Sequence, residues 1–504
     1  MPHLQNQIRL DGLKVRVMGE IMSNTMIILV TLIAYKFVLL LIGWWASYRV
    51  KTESDYFLAG GGLNAWTAGL SYAASTSSAW VLLGFTGFLF TRGVAGLWLV
   101  PGIFGGYILT WFVMGPRLRA ETISKGHLTI VDFITEGQDA KLKRITSLLC
   151  AALILFCFVF YISSQFQAAG NALSDVFDIN AIEAVCIGAA IIIAYCLLGG
   201  FWAASITDAL QAAVMIAACI LVPIATLTAA GGFGAVIDTL QVSHPENYFS
   251  FTEGALGMAG IGVVMGLFGT GLGALGQPQL LNRIMAVRSE RARKQAAFIT
   301  IGWGVVIYSG LICLAFSARA LNVDTGGESL FFVAAQEFLQ PVLAGIVIAA
   351  VLSAVMSTVD SLLLAAASAV SHDSGVSYSN PKKALLAGRL SMVGIAVLAV
   401  ILTLTLPEAI FDRVLFSWVA LGAAFGPTIL VKCLGWNLKD LFIPCAIIAG
   451  FSIAVIFSNI AGPLADFIEK WGSWIVAMII LIIGRQKSTA ELTKYEGEID
   501  RIHG

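Results

Sequence analysis

The stretch Ser71-Tyr72-Ala73-Ala74-Ser75-Thr76-Ser77-Ser78-Ala79-Trp80 lies inside an apolar run that spans 64–90. A second stretch, Gly266-Leu267-Phe268-Gly269-Thr270-Gly271-Leu272-Gly273-Ala274-Leu275-Gly276, lies inside another, 255–277. In hydrocarbon a regular helix satisfies its own backbone, so a helix interrupted at that depth must face protein groups or line a cavity. For one such run alone, close packing through small side chains is the simpler account. Here the first run opens a set of five spans (64–230) and the second opens another five (255–434). Paired interruptions at matching places in two halves mark an inverted-repeat secondary transporter, with its site at the midplane between them.

The rest of the chain agrees with a membrane setting. It has 504 residues, 58% of them hydrophobic and 12% charged, with mean hydropathy +0.87, where a soluble domain carries roughly 25% charged residues. Apolar runs near 24–48, 64–90, 95–115, 145–172, 181–199, 203–230, 255–277, 297–320, 340–370, 384–406, 410–434, 441–461 and 472–484 predict an all-α polytopic membrane protein of about 13 transmembrane helices. The predicted organisation is an N-terminal tail (1–23), a single transporter domain (24–484) and a C-terminal tail (485–504). Met22 directly precedes the cleaner start SNTMIILV and is an alternative first residue.

Loops on one side carry Lys141, Lys143, Arg144, Arg283, Arg288, Arg291, Arg293 and Lys294 among many cations, and those on the other only Arg92, Arg319, Arg413 and Lys470 beyond the N-terminal tail. Positive charge marks the cytoplasmic side. A bacterial-type inner membrane, an external N-terminus and a cytoplasmic C-terminus are therefore expected. Net charge is zero, which gives no basis for nucleic acid as a partner. The eight cysteines have no CxxC spacing and read as packing residues. No nucleophile with a base, paired carboxylate or metal constellation appears at membrane depth, so an enzyme is not expected.

The ninth span places Ser357, Thr358 and Asp360 in Ser353-Ala354-Val355-Met356-Ser357-Thr358-Val359-Asp360-Ser361. Hydroxyls can back-bond to carbonyls one turn earlier and be inert. An intramembrane carboxylate costs at least ~2.5 kcal/mol and is presumed paired or functional. Asp208 raises the same question, with a helix N-cap as an equal rival reading. A small hard cation such as Na⁺ wants several oxygens, and unwound carbonyls with hydroxyls supply them. Histidines fall in loops or at span ends, which gives a histidine proton relay no support.

The combination Tyr56-Phe57-Leu58-Ala59-Gly60-Gly61, Gly199-Gly200-Phe201 with Thr207-Asp208-Ala209-Leu210-Gln211, Gly276-Gln277-Pro278, Ala354-Val355-Met356-Ser357-Thr358 and Gly422-Ala423-Ala424-Phe425-Gly426-Pro427 resembles the sodium/solute symporter family, and within it the sodium/proline branch. The resemblance implies a LeuT-like 5+5 inverted repeat and alternating access driven by an inward Na⁺ gradient. It places a sodium site on the carbonyls of Ala74, Ser77 and Ala354 and the hydroxyls of Ser357 and Thr358. It links Asp208 to a second ion or to gating, a role for which Asp360 is also a candidate. Where the branch has an aspartate in the broken second span this chain has Thr76, and where it sets aromatics in the seventh this chain has Thr270 and Ala274. Trp80 and Tyr161 are retained, and Gln165 adds a polar group to the expected solute site.

The resulting expectation is a Na⁺-coupled symporter for proline or a related amino acid, with an organic carboxylate or sugar acid as the alternative solute. It needs no cofactor beyond Na⁺ as coupling ion and no obligate protein partner. A passive channel fits less well, because the polar groups cluster at two breaks and form no filter-like ring. A sensor would need a separate partner.

Overall fold

The computed structural model describes residues 26–45, 48, 52–177, 179–243, 246–374, 381–406 and 410–486. The N-terminal tail, the alternative start at Met22 and residues 487–504 lie outside them. Helix α1 (Met26–Trp45) is peripheral, with 22% of its membrane window buried. A short α2 (Glu53–Leu58), opened by a reciprocal cap between Thr52 and Asp55, leads to α3 (Ala65–Thr76), which starts where the Asn64 side chain accepts from the Thr67 N–H. Helix α3 stops at Ser77, whose ψ of 66° is not helical, and the chain resumes through a wide turn at Trp80–Phe85 into α4 (Thr86–Arg92).

There follow α5 (Leu99–Ile108), α6 (Gly115–Lys125), α7 (Ile130–Thr135), α8 (Ala140–Phe177), α9 (Ala181–Ala229), α10 (Phe233–Ser243) and α11 (Gly257–Gly269), which tightens into a 3₁₀ turn at Thr270–Gly276. After it come α12 (Pro278–Met285), α13 (Glu290–Ala320), α14 (Leu330–Phe338), α15 (Pro341–Ser368), α16 (Pro381–Thr405), α17 (Ile410–Cys433), α18 (Phe442–Ser458), α19 (Pro463–Phe467) and α20 (Ser473–Ile483). Both interrupted stretches of the sequence are breaks in the structure.

Nine helices among the described residues are long and apolar enough to cross a membrane. Trp80–Lys125 runs the end of the second predicted span and the third together, whereas Phe442–Ser458 and Ser473–Ile483 are shorter. The spans predicted at 181–199 and 203–230 are joined directly, at Gly200 (φ 59°, ψ −172°). Only glycine adopts that conformation readily, and a Cβ there would also meet the Tyr56 ring at 2.7 Å. The stretch read as an external loop, Gly231–Gly254, contains α10 and a buried Tyr248 whose hydroxyl donates to Leu89 O at 3.2 Å. Arg485–Gln486 forms a two-residue antiparallel pair with Asn437–Leu438.

Helices α15 and α17 are central, each with 83% of its membrane window buried. Broken helix α3 packs against α9, α13 and α15, and the 3₁₀ turn after α11 packs against α5 and α17. The two breaks are thus enclosed by the core rather than exposed to lipid, as the bilayer requires of irregular backbone.

Candidate functional site

At the first break α3 ends against the middle of α15. The Ser357 hydroxyl lies 3.2 Å from Ala74 O and 3.1 Å from Ala354 O. It carries one proton and cannot donate to both, so three oxygens converge on one hydroxyl hydrogen. The Thr358 hydroxyl lies 3.5 Å from Ser75 O, and the Ser75 hydroxyl donates to Ser357 O at 3.3 Å. The Ser77 hydroxyl is buried and has no hydrogen-bond partner among the described residues. This donor set is what a small hard cation takes: carbonyls and hydroxyls, no net charge required, in a dry setting.

One turn along α3, a buried ionic network underlies this site. The Arg283 guanidinium of α12 reaches Asp208 Oδ2 of α9 at 2.9 Å, Ser71 Oγ of α3 at 2.8 Å, Gln279 O at 2.5 Å and Ser361 Oγ of α15 at 2.5 Å. Ser71 Oγ also donates to Asp208 Oδ2 at 2.6 Å. Asp208 is fully buried and lies well past the kink at Gly200, within the helix body, which overturns the reading of it as a helix cap. Asp360 sits beside the network, Oδ1 accepting from Ser361 Oγ at 3.1 Å.

Beyond the break lies a cavity of about 20 Å³ walled by Thr76, Trp80, Ile103, Tyr161, Thr270, Tyr308, Val414, Leu415 and Trp418. That is room for one or two water molecules, so a solute must part these walls. Two buried donors on the wall, Thr270 Oγ1 and Trp80 Nε1, have no hydrogen-bond partner among the described residues, and a solute with acceptors satisfies both. The Thr76 hydroxyl turns away to Tyr72 O at 2.7 Å. On the far side Phe411 stacks on Trp80 (centroids 5.5 Å) and on Phe88 (4.9 Å, planes 3° apart). In the order Ser71, Thr76, Trp80, Phe88 the broken span thus meets the ionic network, the cavity and an aromatic lid.

Of the residues expected at the ion site, Ala74, Ala354, Ser357 and Thr358 come together. Ser77, expected there through its carbonyl, ends α3 at the break, and its hydroxyl is buried without a partner among the described residues. Of the six expected at the solute site, Thr76, Trp80, Tyr161 and Thr270 line the cavity. Gln165 and Ala274 do not. The Gln165 Oε1 accepts from the Ala79 N–H at 3.1 Å, so it satisfies the first free donor of the resumed helix, as a helix N-terminus demands. Ala274 is buried in the 3₁₀ turn. Sequence reading missed Arg283, Ile103, Tyr308, Val414, Leu415 and Trp418. No local pattern marked Trp418: its Nε1 donates to Thr270 O at 2.9 Å, and Gln277 Nε2 donates to Gly273 O and Trp418 O, contacts that only the packing of α17 against the break creates.

A helical membrane protein with two interrupted helices around an ion-type oxygen cluster and a cavity is a secondary transporter. The chain belongs to the sodium:solute symporter family, whose model matches residues 56–437. It is 32% identical over 443 residues to the osmoregulated proline transporter of Bacillus subtilis (strain 168), covering 85% of this chain and 88% of that one. It is also 32% identical over 423 residues to the sodium/proline symporter of Escherichia coli (strain K12), covering 81% and 83%. Its fold matches the substrate-bound outward-open structure of a Na⁺-coupled sialic acid symporter with TM-score 0.75 at 17% identity, covering 92% of this chain and 99% of that one. A nucleobase-cation-symport-1 family transporter follows with TM-score 0.53 at 14% identity, covering 85% and 93%. These neighbours carry the LeuT-like fold.

Proposed function

We propose that the chain is a secondary active symporter that couples Na⁺ influx to uptake of a small organic solute, proline or a related amino acid foremost. The observation that carries this reading is the Ser357 hydroxyl held between the carbonyls of Ala74 and Ala354 at a helix break beside a small cavity. Na⁺ would draw on those oxygens together with Ser77 and Thr358, and the solute on Thr76, Trp80, Tyr161 and Thr270. Asp208 and Asp360 serve gating or a second ion. The relatives named as proline transporters support the choice of solute.

The repeats 64–230 and 255–434 rock against each other so that the aromatic lid at Phe411 and the network at Arg283 open in turn. The protein works in the inner membrane with its N-terminus outside and its C-terminus in the cytoplasm, as its loop charges suggest. It needs no cofactor and no partner chain, and it performs no covalent chemistry.

A second reading, a Na⁺-coupled symporter for an organic carboxylate or sugar acid, is favoured by one observation. The seventh-span side of the cavity offers an unpartnered Thr270 hydroxyl where a hydrophobic ring would want an aromatic face. Uptake of radiolabelled proline into proteoliposomes, with an inward Na⁺ gradient or with choline in its place, separates the two. Accumulation that requires Na⁺ supports the first. No uptake by a well-folded preparation directs the search to other solutes, screened by the rise in melting temperature each gives in Na⁺. Accumulation unchanged in choline would exclude Na⁺ coupling altogether.

A further inference from the structure

Two ionisable side chains at membrane depth, Lys36 on α1 and Asp360 on α15, have no oppositely charged group at ion-pair distance among the described residues. Lys36 is half-buried and its Nζ rests against the Sδ of Met356. A thioether is a weak acceptor and replaces little of an ammonium's hydration. Asp360 is 2% exposed, and its Oδ2 has no hydrogen-bond partner among the described residues. Charges at this depth are rare and pair with one another or with backbone carbonyls.

The geometry brings the two within reach. Gly345 faces Ile28 and Thr31, the Tyr35 hydroxyl bonds that of Ser353 at 2.5 Å, and Lys36 meets Met356. Later positions on α1 therefore meet later positions on α15, and the helices run side by side in the same direction. Met356 and Asp360 are four residues apart, so they share a face of α15 one turn apart. That step is about 5.4 Å. The Asp360 Cα–Cβ bond tilts toward the N-terminus of its helix, hence toward Met356, and the lysine stem has four flexible carbons. A step of that size is within the reach of the lysine stem.

We propose that Lys36 is the built-in counter-cation of Asp360, the two forming an ion pair across the α1–α15 interface. Asp360 lies on the helix that carries Ser357 and Thr358 and is joined through Ser361 to Arg283, whose ion pair is with Asp208. With two carboxylates and one guanidinium in that network, a second carboxylate without its own cation would demand a cation or a proton from solution in every cycle. The tethered ammonium removes that demand and makes peripheral α1 a working part of the ion-binding helix. This consequence rests on the Na⁺ reading of α15, whereas the pair itself does not.

The test compares the parent with Lys36→Met, Asp360→Asn and the double variant, by melting of the purified protein in detergent and by proteoliposome uptake over a series of Na⁺ concentrations and pH. Each single substitution is expected to lower the melting temperature and to cut uptake at low Na⁺ by roughly tenfold or more. The double variant, with nothing left unpaired, should melt close to the parent. A double variant whose melting temperature falls by both single losses added together, or a Lys36→Met protein indistinguishable from the parent, would overturn the pair. Melting needs neither Na⁺ nor a known solute, so it judges the pair even if the parent shows no Na⁺-driven uptake, which would sink the transport reading instead.

Discussion

Ser357 shows at the scale of one residue how a neutral site attracts a cation. Its single proton serves either Ala74 O or Ala354 O, at 3.2 and 3.1 Å. Ala354 lies inside α15, whereas Ala74 stands in the last turn of α3, where carbonyls run out of intrahelical donors. An ion there takes all three oxygens at once. Hydrogen bonds to a charged group are worth about 1.5–3 kcal/mol, so Ser357→Ala should raise the Na⁺ concentration for half-maximal uptake by roughly tenfold or more, with expression unchanged. Thr358→Ala should do less, since its hydroxyl stands 3.5 Å from the nearest carbonyl given to it. Unaltered Na⁺ dependence in both would move the ion site elsewhere. Arg283 is the other decisive residue. Breaking a buried ion pair from one side costs about 3–5 kcal/mol, so Arg283→Gln and Asp208→Asn should each destabilise the purified protein strongly. Their combination should cost less than the sum, because both act on one bond. Additive losses in chemical melts would show that the two are not partners.

At the scale of elements, the breaks were legible because small and polar residues cannot be explained by hydrophobic burial in a bilayer, and the cluster at Ser71–Trp80 and the glycines at 266–276 have no lipid-facing role. The partners of those breaks were less legible. Arg283 follows an apolar run closely and reads as one more cytoplasmic cation, yet a proline-opened helix, α12, turns it back under α3. Gln165 reads as a solute contact because a glutamine in a membrane helix must bond to something, and which partner it finds depends on packing that no local pattern records. Helix α10 escaped because its short run looks like loop. The glycines of the second break make the sharpest element-scale prediction. A Cβ on Gly271 would collide with the backbone of Gly102 in α5, and one on Gly276 with Leu421 O in α17. Gly271→Ala must push the 3₁₀ turn away from α5, at a cost of about 1–3 kcal/mol for overpacking. It should also abolish uptake, since Thr270 moves with it. Gly105→Ala, on the same helix with open space at its Cβ position, is the control and should behave as the parent.

At the scale of the whole molecule, the end of the bundle remote from the aromatic lid is tied together by one short helix. At the start of α7, Asp132 accepts from the N–H groups of Leu128 and Thr129 at 2.9 and 3.2 Å, and His372 Nε2 at the end of α15 lies 3.1 Å away. Thr129 donates to Asp373 at 2.7 Å. At its other end Lys432 of α17 donates to the carbonyls of Phe133, Ile134 and Glu136 at 3.0, 2.7 and 2.8 Å. Helix α7 therefore links the ends of the two most buried helices of the core, and any rocking that moves them apart must stretch it. Its contribution carries a pH signature. Burial pushes the Asp132 carboxyl up, but the His372 hydrogen bond and charge and the two backbone donors outweigh it and hold the carboxyl below its ordinary value. A depressed carboxylate adds stability that is present above the unfolded value, about 3.9, and is lost as pH falls through the lowered folded value. Asp132→Asn should thus melt below the parent at pH 5–6, and the gap should close progressively as the pH is taken below about 4. Melts of the two proteins across that range test the link: no gap at pH 5–6 would mean that α7 carries no load between α15 and α17, and a gap persisting undiminished in acid would mean that the carboxylate's charge is not what holds it.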